Sequence, residues 1–266
     1  MTIRFTKAHG ALNDFLLTWS TERLRAEAPT IAKAICDRHA GIGADGWMLV
    51  TPPGKAQGVH GAIELWNSDG SPSEISGNGT RCAAAFLVEA GLASDEVRIA
   101  TGAGDKRLQV LHRSGNSFTF EMDMGTPRFP HEGFTTLDLS GGPRQAVIMD
   151  VGNPQCALVV DDFDFDWRGL GAEIEYHRFF PNRTNVSFVR ILNRHALDVR
   201  FFERGAGETM SSGTGSTGAV AAALSLGLVE PPVTVETPAG PLYFRVEGGF
   251  FLTGPAVLIG SGEFYL

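Results

Sequence analysis

The 266-residue sequence holds only three cysteines, Cys36, Cys82 and Cys156. That number is too small and too odd for a disulfide framework, and it suits a reducing compartment. Cations are scarce too: 22 Lys and Arg against 30 Asp and Glu leave a net charge of −8, the reverse of a nucleic-acid footprint. No apolar run reaches the roughly 18 residues needed to cross a bilayer. The N-terminal stretch lacks the apolar segment of a secretory signal. The seven histidines show no metal-ligand spacing, and neither a G-x-S-x-G elbow nor a Walker loop occurs. The expectation is a cytoplasmic protein with a small-molecule role, no metal, and neither nucleic acid nor membrane as partner.

What is abundant is glycine, 33 in all, without a G-X-Y period. Such an excess predicts many turns and close backbone approaches. Alternating or β-branched runs predict strands at 3–6, 15–19, 47–51, 62–66, 97–101, 108–112 and 118–122. A second set falls at 146–150, 157–160, 185–191, 197–203, 233–236, 242–246 and 250–252. Helical patterns are confined to 30–38, 80–90 and 216–228, the last two apolar nearly all round, as suits helices wrapped by strands. The Gly- and Pro-rich stretch 124–144 is the best boundary between halves.

An internal repeat links the halves. Ser76-Gly77-Asn78-Gly79-Thr80 and Ser212-Gly213-Thr214-Gly215-Ser216 each open a helix, 136 residues apart. Period two puts Ile63, Leu65 and Asn67 on one strand face, and Leu197, Val199, Phe201 and Glu203 on another. Asn67 and Glu203 each precede their serine by nine residues. The simplest account is a duplication about a pseudo-twofold axis. A Ser-Gly-x-Gly helix start offers backbone N–H groups and the positive end of a helix dipole to a carboxylate or phosphate. The plainer reading is that both serines are N-caps. Gly41-Ile42-Gly43-Ala44-Asp45-Gly46 spells G-x-G-x-x-G, but it follows a helix and leads into a strand, the reverse of a dinucleotide site.

Several motifs, in order along the chain, resemble diaminopimelate epimerase. They are His9-Gly10-Ala11-Leu12-Asn13-Asp14-Phe15, Asp37-Arg38-His39-Ala40-Gly41-Ile42-Gly43-Ala44-Asp45-Gly46, Asn67-Ser68-Asp69-Gly70-Ser71 and Gly77-Asn78-Gly79-Thr80-Arg81-Cys82. Gly152-Asn153-Pro154, Thr184-Asn185-Val186, Glu203-Arg204-Gly205-Ala206-Gly207-Glu208-Thr209 and Thr253-Gly254-Pro255-Ala256 complete the set. The resemblance implies an α/β (α+β) fold of two lobes, each a curved, mostly antiparallel sheet around a central helix, with the active site between them. The lobes are expected over 1–118, joined by a last strand at 260–266, and over 119–259. It further implies inversion of an amino-acid α-carbon by two bases, without pyridoxal phosphate or any other cofactor, and a homodimer. Asn13, Asn67, Asn153, Asn185 and Arg204 would grip the distal end of the substrate. Gly77, Asn78, Gly213 and Thr214 would hold the α-carboxylate, and Glu203 would tune the second base.

Both of the resemblance's catalytic cysteine positions carry serine here, Ser76 and Ser212. Populating a seryl alkoxide costs on the order of 9 kcal/mol more than a thiolate, whereas a helix terminus supplies roughly 1–2 kcal/mol. Gln155 stands where the family usually has an assisting histidine, and Leu12 replaces a glycine. These departures fit a diverged natural member better than an engineered pair of substitutions. Three alternatives stay open: a diaminopimelate epimerase-like isomerase in which Glu203 and Glu208 share in proton transfer, or which is slow; an isomerase of the same fold acting on a more acidic C–H; and a non-catalytic amino-acid-binding homologue.

Overall fold

The computed structural model describes residues 1–54 and 58–266. The chain divides into two compact units: Met1–Asp123 with Thr253–Leu266, and Met124–Leu252. Unit 1 contains β1 (Thr2–Gly10), β2 (Asn13–Trp19), α1 (Glu22–Ala26), α2 (Ala28–Cys36), β3 (Gly46–Thr51), β4 (Gly61–Asn67), β5 (Pro72–Ser73), α3 (Gly77–Glu89), β6 (Glu96–Thr101), β7 (Gly104–Ser114) and most of β8 (Ser117–Gly125). Unit 2 contains β9 (Thr135–Leu139), β10 (Gly142–Asp150), β11 (Pro154–Val159), α4 (Trp167–Glu175), β12 (Asn185–Asn193), β13 (Ala196–Glu203), β14 (Gly207–Thr209), α5 (Gly213–Ser225), β15 (Val233–Glu236) and β16 (Leu242–Val246). The last strand, β17 (Phe250–Tyr265), begins in unit 2 and runs on into unit 1.

In unit 1 the strands close on themselves. The pairings run β1–β2, β2–β3, β3–β4, β4–β6, β6–β7, β7–β8, β8–β17 and back to β1, with β2–β3 and β4–β6 parallel. Helix α3 packs inside against β1, β2, β4 and β6. Strand β3 is buried on both faces, which requires apolar residues throughout. Its Trp47 and Leu49 join Ile31, Ala32 and Ile35 of α2, while Met48 faces α3, where a Cβ on Gly79 would meet its Cε at 2.1 Å.

Unit 2 repeats the order. Strands pair β9–β10–β11–β12–β13–β15–β16, with β14 added beside β13 and with β11–β12 and β13–β15 parallel. Helix α5 packs against β10, β11, β12, β13, β15 and β16. Its alanines 219 and 221–223 are buried and leave room for the strands to approach. On the other face Cys156, Leu158, Val186 and Phe188 meet Trp167 and Ile174 of α4.

The two inner helices match residue for residue. Each has 13 residues and starts at the serine cap, three residues earlier than the apolar pattern alone predicts. Each ends alike: Ala90 and Leu226 are C-caps, Gly91 and Gly227 follow at φ +71° and +68°, and Leu92 and Leu228 donate back to Leu87 O and Ala223 O. Those glycines occupy left-handed C′ positions, a backbone that favours glycine. The period-two reading holds: Ile63, Leu65, Leu197, Val199 and Phe201 are all buried. Helices α1 and α4 and strands β5, β9 and β14 are additional to the sequence-based expectation, and β17 runs unbroken through both 250–252 and most of the last strand expected at 260–266.

Candidate active site

In unit 1, Ser76 caps α3, its Oγ accepting from Gly79 N at 3.1 Å. The cap reading is therefore correct, and an alanine here removes a bond of the kind that stabilises helices by about 1 kcal/mol. The first turn lies tight at Gly79, where a Cβ would displace the end of the Met48 side chain and press on Ser76 and Phe15. Asn78 is fully buried and donates through Nδ2 to Asn13 Oδ1 at 3.2 Å; Asn13 in turn donates to Asp45 Oδ2 at 2.7 Å. Asn13 and Asn78 are thus joined by one hydrogen bond. Gly77 forms the first residue of α3, and its carbonyl accepts from Arg81. Asn67 ends β4 and spends its Nδ2 on Ser71 Oγ at 3.0 Å.

Asn13 is carried on a two-residue turn in which Ala11 and Leu12 have φ of +50° and +60°. Leu12 therefore sits in the left-handed region, a conformation that costs a non-glycine residue roughly 1–2 kcal/mol. His9 Nδ1 accepts from Leu12 N at 3.2 Å and holds the turn. Beneath it Asp14 pairs with Arg38 at 2.8 Å and Lys7 at 3.0 Å. Burial alone would raise the Asp14 carboxyl, but the bonds and charges of Arg38 and Lys7 outweigh it and hold the group below the usual carboxylate range. Asp45 goes the other way, pushed up by burial and by the charge of Asp14.

In unit 2, Ser212 caps α5, accepting from Gly215 N at 3.0 Å. Its own hydroxyl donates to Glu203 Oε1 at 2.7 Å, and Thr209 Oγ1 donates to Glu203 Oε2 at 2.8 Å. Position 203, at the end of the inward face of β13, thus delivers a carboxylate to the capping serine. Glu208 is placed differently: it forms a two-pronged pair with Arg168, at 2.6 and 2.8 Å. Gln155 is buried beside α5, where it donates to Asn153 Oδ1 at 2.7 Å, and Asn153 Nδ2 reaches Thr214 Oγ1 at 3.5 Å. The Gln155 Oε1 atom has no hydrogen-bond partner among the described residues. Gly213 is the first residue of α5, and its carbonyl accepts from Thr217.

Asn185 is spent on the backbone: it donates to Pro154 O at 2.9 Å and accepts from Arg204 N at 3.1 Å. Arg204 itself donates to Asn182 O at 3.3 Å. Glu175, buried, accepts from Gly205 N and from Arg183, fixing the loop that carries Arg204. Asp45, Thr209, Glu175 and Arg81 are contributors that the sequence reading assigned no role. Asp45 and Glu175 pair with Asn13 and Gly205 across 32 and 30 residues, which no local motif displays; Thr209 and Arg81 lie within the family motifs, six residues from Glu203 and three from Asn78. All three thiols are buried and held protonated: burial pushes Cys36 and Cys82 up to about 12 and raises Cys156 as well.

The fold is shared with a probable proline racemase from Agrobacterium radiobacter (TM-score 0.78, 15% identity, 98% of this chain and 92% of that one). It is shared equally with a hydroxyproline epimerase from Agrobacterium vitis (TM-score 0.77, 16% identity, with the same coverage). The architecture is thus that of the epimerase and racemase folds. The sequence profile of diaminopimelate epimerase matches residues 5–130 and 147–259, and the chain belongs to that family. Diaminopimelate epimerases from Moorella thermoacetica and Synechococcus elongatus are 37% and 38% identical to it, over 99–100% of both chains.

Proposed function

We propose that this protein is a diaminopimelate epimerase-like isomerase, inverting the α-carbon of an amino acid such as LL-diaminopimelate without a cofactor. The supporting observation is the 2.7 Å hydrogen bond from the Ser212 hydroxyl to Glu203 at the start of α5. A serine alone is too weak a base for an α-proton, but a serine already bonded to a carboxylate passes its proton on as it accepts one. In this reading Ser212 Oγ takes the proton from the C–H bond while its own proton moves to Glu203 Oε1. The electron pair stays on the α-carbon, and Ser76 gives its hydroxyl proton to the opposite face while taking another from solvent water, so that no alkoxide remains; the resulting hydroxide is neutralised by the proton that Glu203 releases to solvent. Asn13 and Asn78 bind the substrate in unit 1. Asn153, Thr214 and Gly213 contribute in unit 2, where Asn185 positions Arg204.

Two features favour this over a binding protein. The Glu203 carboxylate is aimed at the serine and held there by Thr209, and both serine-capped helix starts are retained. Cytoplasmic location and a homodimer belong to the same proposal; among the described residues no helix is long and apolar enough to cross a membrane. The test is to incubate the protein with LL-diaminopimelate and separate the stereoisomers by chiral chromatography. Formation of the meso isomer is expected, faster by orders of magnitude in the Ser76→Cys/Ser212→Cys variant. Saturable binding with no meso product from either protein would refute the isomerase reading in favour of a binding homologue.

A further inference from the structure

Arg81 is fully buried in α3, yet it makes no ion pair among the described residues. Its three nitrogens donate to neutral oxygens: Nε to Pro255 O at 3.0 Å, Nη1 to Gly77 O at 3.2 Å and Nη2 to Asn78 Oδ1 at 2.6 Å. Burying a guanidinium without a counter-ion is expensive, and a protein retains such a charge where something else neutralises it. Burial pushes the group down to about 10, which still leaves it charged at neutral pH. The bond to Gly77 O shows that the side chain folds back along the helix to its first turn. There it adds a full charge to the partial positive charge of the helix end.

The repeat makes the placement informative. At the matching position α5 carries Thr217, whose hydroxyl donates to Gly213 O at 2.8 Å, the counterpart of the Arg81–Gly77 bond. Conversely, Glu203 in unit 2 is matched in unit 1 by the neutral Asn67. One serine-capped helix start therefore carries a buried cation, and the other a carboxylate. An anionic ligand group is attracted to the first and repelled by the second.

The guanidinium also sets the polarity of a chain of amides. It only donates, so Asn78 must turn its Oδ1 toward it. That leaves Asn78 Nδ2 to donate to Asn13 Oδ1, and Asn13 Nδ2 to donate to Asp45. We propose that Arg81 is a positioning residue for the substrate carboxylate: it fixes the amides of Asn78 and Asn13 and holds, at the α3 start, the positive charge that the carboxylate neutralises. This inference rests on the reading of the chain as an amino-acid epimerase.

The test compares wild type with Arg81→Lys, which keeps the charge, and Arg81→Gln, which keeps a donor without it. Calorimetric titration with LL-diaminopimelate should show Arg81→Lys within about fivefold of wild type and Arg81→Gln weakened about 30-fold or more, with circular dichroism unchanged. The side-chain NH2 signals of Asn13 and Asn78 in 15N NMR should shift in Arg81→Gln and move far less in Arg81→Lys. Equal weakening in both variants, or folded Arg81→Gln binding like wild type, overturns the proposal. Should Arg81→Gln not fold, Arg81→Met is read in the same way. If wild type does not bind LL-diaminopimelate, the functional reading fails; unshifted Asn13 and Asn78 signals in Arg81→Gln would then overturn the positioning role separately.

Discussion

Replacing Glu203 by glutamine should abolish the chemistry of the Ser212 site while leaving its architecture standing. The carboxylate accepts from Ser212 Oγ at 2.7 Å and from Thr209 Oγ1 at 2.8 Å. Glutamine keeps an oxygen toward one hydroxyl, and its NH2 donates to the other, so both bonds survive in neutral form. The stability loss is then the difference between charged and neutral hydrogen bonds, about 1–2 kcal/mol, a Tm shift of a few degrees. What disappears is the acceptor of the proposed relay. A positioned general base contributes roughly 10²- to 10⁴-fold, or about 3–5 kcal/mol of barrier. Turnover of LL-diaminopimelate by Glu203→Gln should therefore fall by two to four decades, with KM changed little. Chiral chromatography for rate and calorimetry for Tm separate the two effects. A folded Glu203→Gln protein that turns over at the wild-type rate would remove Glu203 from the proton path and refute the relay.

Other outcomes follow from the same geometry. At pH 8 a thiol with a pKa of about 12 is ionised in only about one molecule in 10⁴, so an Ellman titration of the native protein should label no cysteine and the unfolded chain should release three. Asp14 is depressed in the folded state, so its contribution is present above the ordinary carboxylate pKa and lost as pH falls through the lower folded value. Urea midpoints should hold down to about pH 5 and decline below about pH 4, and Asp14→Asn should show a shallower decline with a lower starting stability. Ser212→Ala removes both the cap and the relay, and should cost about 1 kcal/mol of stability along with the activity.

Much of the fold was legible because its signals are local. The apolar helices α3 and α5, their serine caps and the alternation of β4 and β13 are all written within a few residues of one another. What stayed hidden depends on distant partners. Strand β17 covers two separate expectations, 250–252 and the last strand at 260–266, with Gly254, Pro255 and Gly260 looking like punctuation between them; Pro255 lies beyond the stretch paired with β1, so its missing N–H costs that ladder nothing. Helix α4 is short, and its register is set by Trp167 and Ile174 packing under β12, which no nearby pattern reveals. In the site, the equal spacing of Asn67 and Glu203 pointed to the position that meets the serine. It could not show that the carboxylate serves Ser212 while Asn67 turns to Ser71. Asn185, expected among the substrate-gripping residues, joins Pro154 to Arg204, a link that its sequence neighbours do not display. Arg81 had only its motif to recommend it until its burial and lack of an acid came into view.

The central claim is that hydroxyls and one carboxylate do here what thiols do at the corresponding positions of the resembled family. It is tested most directly by incubating the wild-type protein with LL-diaminopimelate in deuterated water and following the α-proton by NMR. The account predicts loss of the α-proton signal together with appearance of the meso isomer, both unchanged after every cysteine is replaced by alanine in a folded protein. An α-proton that persists indefinitely, or exchange that vanishes with the cysteines, would contradict it.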